Sequence, residues 1–151
     1  MKAALVGLVL VGAAACTLTD REVLLTVDGV PVTVVASGGQ TCIEVGDDAG
    51  GGSWCRPADM VEAVWMGATS VGDGLVVVGQ APAEVVSVTL SGEDGPRSLA
   101  VEQTGQGRFF VGVDVRPGGY EVAALREDGS EYVSGDVSIG RNATTGFWMT
   151  P

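Results

Sequence analysis

Asp73-Gly74-Leu75-Val76-Val77-Val78-Gly79 is the stretch that decides the fold class. The apolar run from Leu75 to Val78 is unbroken, short and rich in β-branched side chains, as expected of a strand covered on both faces. Outward in both directions the pattern stays β. Glu22 to Val27 and Val30 to Val35 are Val-rich runs joined by Asp28-Gly29, a strong hairpin signal. Further Asp-Gly pairs follow at Asp73-Gly74, Asp94-Gly95 and Asp128-Gly129, each beside a strand-like segment. Val86, Val88 and Leu90 alternate with Ser87 and Thr89. Phe109, Val111, Val113 and Val115 alternate with Gly112 and Asp114, and Tyr120, Val122 and Ala124 give another inward face. Each alternation sets one side against a core and the other toward water.

The segment Pro57 to Gly67 reads two ways. Pro57 and Gly67 would open and close a short helix. Alternatively, Val61, Ala63 and Trp65 share one face of a strand that pairs with Leu75–Val78 across Asp73-Gly74, and the hairpin turn favours this strand. Residues 141–151 lack periodicity, although Phe147 and Trp148 are suited to dock them onto the body. Asn142-Ala143-Thr144 matches a glycosylation sequon.

At 151 residues the chain is of single-domain length and long enough to bury about two-thirds of its unfolded surface. Its net charge of −11 repels phosphate backbones, so no nucleic-acid partner is expected. The chain has no histidine, and its one lysine is Lys2. A Ser-His-Asp triad, a Cys-His pair, a histidine zinc site and a Schiff-base lysine beyond the leader are thereby excluded. The sequence assigns no catalytic residue, metal or cofactor.

Met1-Lys2 followed by the apolar run Ala3 to Ala15 has the form of a signal peptide, since the run falls short of the about 20 residues that span a bilayer. Ala13-Ala14-Ala15-Cys16 resembles the lipobox of bacterial lipoproteins, which implies that Cys16 carries diacylglycerol and anchors the protein to the cell membrane. Ala13 stands where that family usually has a larger aliphatic, so ordinary cleavage and a secreted or periplasmic protein stay open. Of the three cysteines, Cys42 and Cys55 are expected to pair in an oxidising compartment, leaving Cys16 for the lipid. Thr17 to Arg21 would then be a tether of about 17 Å at full extension.

The stretch from Leu75 to about Tyr132 resembles the carboxypeptidase-regulatory-like, or prealbumin-like, β-sandwich modules. The matching signals are Val76-Val77-Val78-Gly79, the alternating Val86 to Leu90, Gly107-Arg108-Phe109 and the turn Pro117-Gly118-Gly119-Tyr120. The resemblance implies antiparallel strands and a structural or adhesive role, with no catalytic residues to carry over. Ig-like sandwiches share the signature. The expected fold is thus an all-β antiparallel sandwich, Ig-like or prealbumin-like. It comprises a signal peptide over 1–15, a tether over 16–21, a single domain over 22–140 and a tail over 141–151.

The abundant reactive groups are carboxylates: Glu44, Asp47 and Asp48 beside Gly50-Gly51-Gly52, and Glu93-Asp94 and Glu127-Asp128 at turns. Their spacing matches no EF-hand and selects no glycosidase pair. Trp54 would stack a sugar if exposed and pack on the disulfide if buried, and burial is the expectation. Trp65 reads as core. Phe110 is the odd residue of its strand, an exposed anchor or a residue covered by the tail at Trp148. Trp54, Phe110 and Trp148, if they form one exposed patch, are the candidate binding surface. The expected function is a non-catalytic, membrane-anchored lipoprotein that binds or supports an envelope protein or glycan. A calcium- or carbohydrate-binding module centred on Glu44 to Trp54, or a carboxylate-based cell-wall hydrolase, is the alternative.

Overall fold

A computed structural model describes residues 20–47, 50–57, 59–140 and 146–151. The segments read as signal peptide and lipidated Cys16, together with Asp48 and the Asn142 sequon, lie outside the described residues. Within them the chain is all-β and antiparallel, and no described helix is long and apolar enough to cross a membrane.

The strands are β1 (Asp20–Val27), β2 (Val30–Ser37), β3 (Gln40–Asp47), β4 (Gly50–Pro57), β5 (Val64–Val71), β6 (Gly74–Gln80), β7 (Ser87–Gly92), β8 (Gly95–Ala100), β9 (Glu102–Thr104), β10 (Gly107–Val115), β11 (Gly118–Leu125), β12 (Glu131–Ile139) and β13 (Phe147–Met149). They form three sheets. Sheet A is the consecutive meander β1-β2-β3-β4, sheet B has the order β13-β5-β6-β10-β9, and sheet C has the order β12-β11-β7-β8. After β6 the chain passes repeatedly between B and C, which together make the sandwich. Sheet A adds a further layer on the other face of B.

The run Leu75–Val78 explains this stacking. It lies in β6, with Leu75 and Val77 in the core shared with sheet C and Val76 and Val78 in the core shared with sheet A. A central strand with apolar residues at every position leaves no face for water. β5 does the same, with Val64, Met66 and Ala68 toward C and Trp65 and Val71 toward A.

The turns follow their residues. Asp28 and Gly29 both take positive φ between Val27 and Val30, as a type I′ hairpin requires. The β5–β6 turn is Gly72-Asp73, one residue earlier than the sequence suggests, because Val71 pairs with Gly74 and Gly72 takes the positive φ of 61°. The strand reading of the 57–67 segment holds from Val64 onward. Val61 is not on the inward face with Trp65 but sits in the preceding turns, 62% exposed. Val86 likewise precedes β7 and is exposed, while Val88 and Leu90 are buried.

Phe110 is the main correction. It is 1% exposed, and so cannot be a surface anchor. Its strand has two covered faces: Phe109 enters the core against sheet A and Phe110 the core against sheet C. The expected alternation also breaks further along. Gly112 pairs with Val77 and Val115 with Leu75, so β10 holds one residue more than β6 over this interval. This bulge at Val113-Asp114, where Asp114 has φ 53°, turns Val115 to the sheet C side with Phe110. At the other margins, β1 begins at Asp20, within the stretch read as tether. Phe147–Met149 of the tail joins sheet B by pairing with Met66–Val64 of β5.

Candidate functional site

Alternation along β4 decides what Trp54 can do. Trp54 faces ring-inward opposite Ile43, whereas its neighbour Cys55 faces outward opposite Cys42. The Cys42–Cys55 disulfide is formed, and it lies on the outer face of sheet A. Burial of Trp54 is as expected, but its packing partner is not the disulfide. The indole lies over Gly67 of β5, where an added Cβ would sit 2.4 Å from the ring. With 5% of its surface exposed, Trp54 has no free face for a sugar. Glu44 is paired with Arg21 at 3.0 Å. No group of metal-ligating side chains occurs among the described residues.

Trp148 is the exposed member of the expected trio, at 43%. It lies opposite Trp65 on β13, and a Cβ on the adjoining Gly146 would touch both the Trp148 ring and Trp54 Cβ. Trp54 and Trp148 are thus neighbours, but Phe110 is on the opposite side of sheet B. The three form no common patch.

Near Trp54, Arg56 is 8% exposed and points into the same interface. Its Nε donates to Gln80 Oε1 at 2.5 Å, its Nη1 donates to the Met60 carbonyl, and its guanidinium stands 5.9 Å from the Trp65 ring centre. Trp65 Nε1 donates to the same Gln80 oxygen at 3.0 Å. Burial lowers the Arg56 pKa from its ordinary value. Neutral acceptors and an aromatic face hold this cation; no carboxylate pairs with it among the described residues. The cluster closes one end of the A–B interface.

A polar concavity lies at the opposite end. A groove of about 400 Å³ is lined by Asp94 of the β7–β8 turn, by Gly95, Pro96 and Arg97 at the start of β8, and by Asp114, Val115, Arg116 and Tyr120 from the β10–β11 end, with Leu90 beneath. The bulge builds it, because the extra residue in β10 thrusts Asp114 outward while Val115 stays in the core. Gly74 permits this, since a Cβ there would lie 3.1 Å from Asp114 Oδ1. Arg97 Nη1 donates to the Val113 carbonyl at 2.6 Å, and Arg116 Nη1 lies 3.2 Å from Asp94 Oδ2. The Tyr120 hydroxyl donates to the Arg116 carbonyl at 2.6 Å, while its ring covers Gly92. Guanidinium donors and carboxylate acceptors therefore share one concave wall above an aromatic and aliphatic floor. Such a wall can hold a ligand through several simultaneous hydrogen bonds.

Sequence reasoning missed Arg97, Asp114, Arg116 and Tyr120 as a group and met Asp94 only as a turn acid. No local signal marked the group, since Asp114 fits an outward position of the regular alternation and the bulge at Val113-Asp114 is not written in that pattern. No protein-family model, curated protein or solved structure matches the chain, so the groove is read from its own chemistry.

Proposed function

We propose that this protein is a non-catalytic accessory of a bacterial cell envelope, anchored to the membrane by lipid on Cys16, that presents the Asp94–Arg116 groove to an envelope protein or glycan. One observation carries the reading: chain entry and groove lie at opposite ends of the body. Asp20 pairs with Ala36 at the entry end of sheet A. β1 then runs to Asp28, whose Oδ2 would lie 3.4 Å from a Cβ on Gly72, and the Gly72 turn leads to Gly74 against Asp114. An eight-residue strand spans about 26 Å, so the groove points away from the anchored end. Only Thr17 to Thr19 separate Cys16 from β1, a reach of about 10 Å, which keeps the body upright near the bilayer.

The absence of histidine from the sequence and the high exposure of Asp94 and Arg116 support a binding rather than a catalytic role. A carboxylate acting as general acid at neutral pH needs burial to raise its pKa. The disulfide supports an oxidising compartment and leaves Cys16 as the odd thiol. Kinship with carboxypeptidase-regulatory-like or prealbumin-like modules would rest on the segment from β6 to the start of β12, and it too favours an adhesive role. Asp94 and Asp114 in one groove are the observation that favours the hydrolase as second reading.

The test has two arms. Intact mass of protein extracted from membranes should match a chain starting at a diacylglyceryl-modified Cys16, and Cys16→Ser should release it from the membrane fraction. A photo-crosslinking residue at Arg116 should capture an envelope component that the same residue at Ala36 does not. A chain recovered from cytosol with Met1 attached would defeat the proposal. Turnover of a cell-wall polymer that Asp114→Asn abolishes would put the hydrolase first.

A further inference from the structure

The sheet edges of this molecule are unequally guarded. β9 and β13 are three residues long, β8 carries Pro96 and exposed Arg97, β1 is broken by a register shift between Val23 and Leu25, and β4 opens on Gly50-Gly51-Gly52 and ends at Pro57. These are the usual devices that stop a sheet from accepting another strand. β12 has fewer. Among the described residues it pairs with β11 alone, and its ladder is regular from Val133 opposite Ala124 to Ile139 opposite Gly118. The register shift and the exposed Glu131 are confined to its first residues.

What flanks this edge is chemically two-sided. Toward sheet B, Val133 and Val137 pack on the B–C core, and a Cβ on Gly135 would lie 3.3 Å from Met149 Sδ and 3.5 Å from the Phe147 ring. A crevice of about 20 Å³ opens there between Val137, Ile139 and Phe147. Toward solvent the same strand shows Ser134, Asp136 and Ser138, all exposed. An incoming strand would therefore set alternate residues over an apolar crevice and the others beside a carboxylate. With a net charge of −11, a second copy is repelled and a cationic segment attracted.

We propose that β12 is a strand-addition site for an extended partner segment in which apolar residues alternate with basic ones. Main-chain hydrogen bonds to the free edge would give affinity, and the alternating side chains would give specificity. The inference does not depend on the groove or the lipid anchor.

The probe is a capped heptapeptide of alternating lysine and valine, titrated into the full-length protein while amide hydrogen exchange is followed. Exchange should slow at Val133 to Ile139 and not along β1 or β8. The glutamate–valine counterpart should not bind. N-methylation of the peptide on one alternate set of residues should abolish binding, and on the other set should leave it. Asp136→Lys, at an exposed position, should weaken binding about tenfold without altering the fold. Equal binding of both peptides, binding that survives N-methylation in both phases, or slowing that tracks protein concentration without peptide would each overturn the proposal, the last by giving the edge to a second copy.

Discussion

The two faces of the central sheet are covered in different ways. Toward sheet C, the core is assembled from strands spread between β5 and β13, with the chain crossing from sheet to sheet at every second connection. Toward sheet A, the cover is one contiguous meander, β1 to β4, laid on as a unit. That interface holds Trp54, Trp65 and Phe109 together with the Arg56–Gln80 polar pair, and a disulfide ties β3 to its neighbour β4. The interleaved B–C half cannot lose a strand without losing its sheet partners. Sheet A can separate from B while its own ladder stays intact. We therefore expect sheet A to open at a lower free energy than the B–C sandwich, as a cooperative sub-unit.

The largest effect should come from the B–C side. Phe110→Ala removes a fully buried ring that packs against Gly79 and should cost about 3–5 kcal/mol, read as a loss of global stability by denaturant titration. Amide exchange should accelerate in all sheets together. Acceleration confined to β10 would break the distinction between the two halves.

Replacing both Cys42 and Cys55 by Ala should cost about 3 kcal/mol, from the restored freedom of the unfolded 13-residue connection. Here the comparison sharpens: exchange should accelerate first in β2 to β4, ahead of β6 and β11. Gly67→Ala places a methyl 2.4 Å from the Trp54 indole and should cost about 1–3 kcal/mol by forcing the sheets apart. Tryptophan fluorescence should shift to the red before the far-ultraviolet dichroism changes.

Tyr132→Phe should have the smallest effect, about 1 kcal/mol, because it removes a single hydroxyl bond to the Glu62 carbonyl at 2.9 Å. Burial, aided by Glu84 and Glu62, pushes the Tyr132 phenol up, with Arg126 opposing. A group whose folded pKa is raised contributes fully below its unfolded pKa and loses that contribution as pH rises toward the folded one. The wild type should therefore lose its advantage over Tyr132→Phe above about pH 10. An advantage constant to higher pH would contradict the assigned cause.

Much of this architecture was legible in the sequence. The run Leu75–Val78 announced a doubly covered strand, Asp28-Gly29 a hairpin, and the count of cysteines a Cys42–Cys55 bridge. The errors have physical reasons. Phe109 and Phe110 looked like one inward and one outward ring because a two-layer sandwich offers each strand a single core, and here β10 has two. Trp54 was assigned to the disulfide by sequence proximity, although strand alternation sends adjacent residues to opposite faces. The groove was illegible because its walls come from turns about twenty residues apart, Asp94–Arg97 and Asp114–Tyr120, brought together by a single inserted residue. Local periodicity carries no record of such a meeting.

The distribution of strands among the sheets also has a consequence in time. A chain delivered from its N-terminus releases β1 to β4 first, and these can pair at once because each strand's partner is its neighbour in sequence. Their apolar side then waits for β5 and β6. Sheet B waits longer still: β5 stays open on one flank until Phe147–Met149 arrives, after every other strand has emerged. The order of emergence thus leaves the middle layer of the molecule to be finished last, by a strand of three residues.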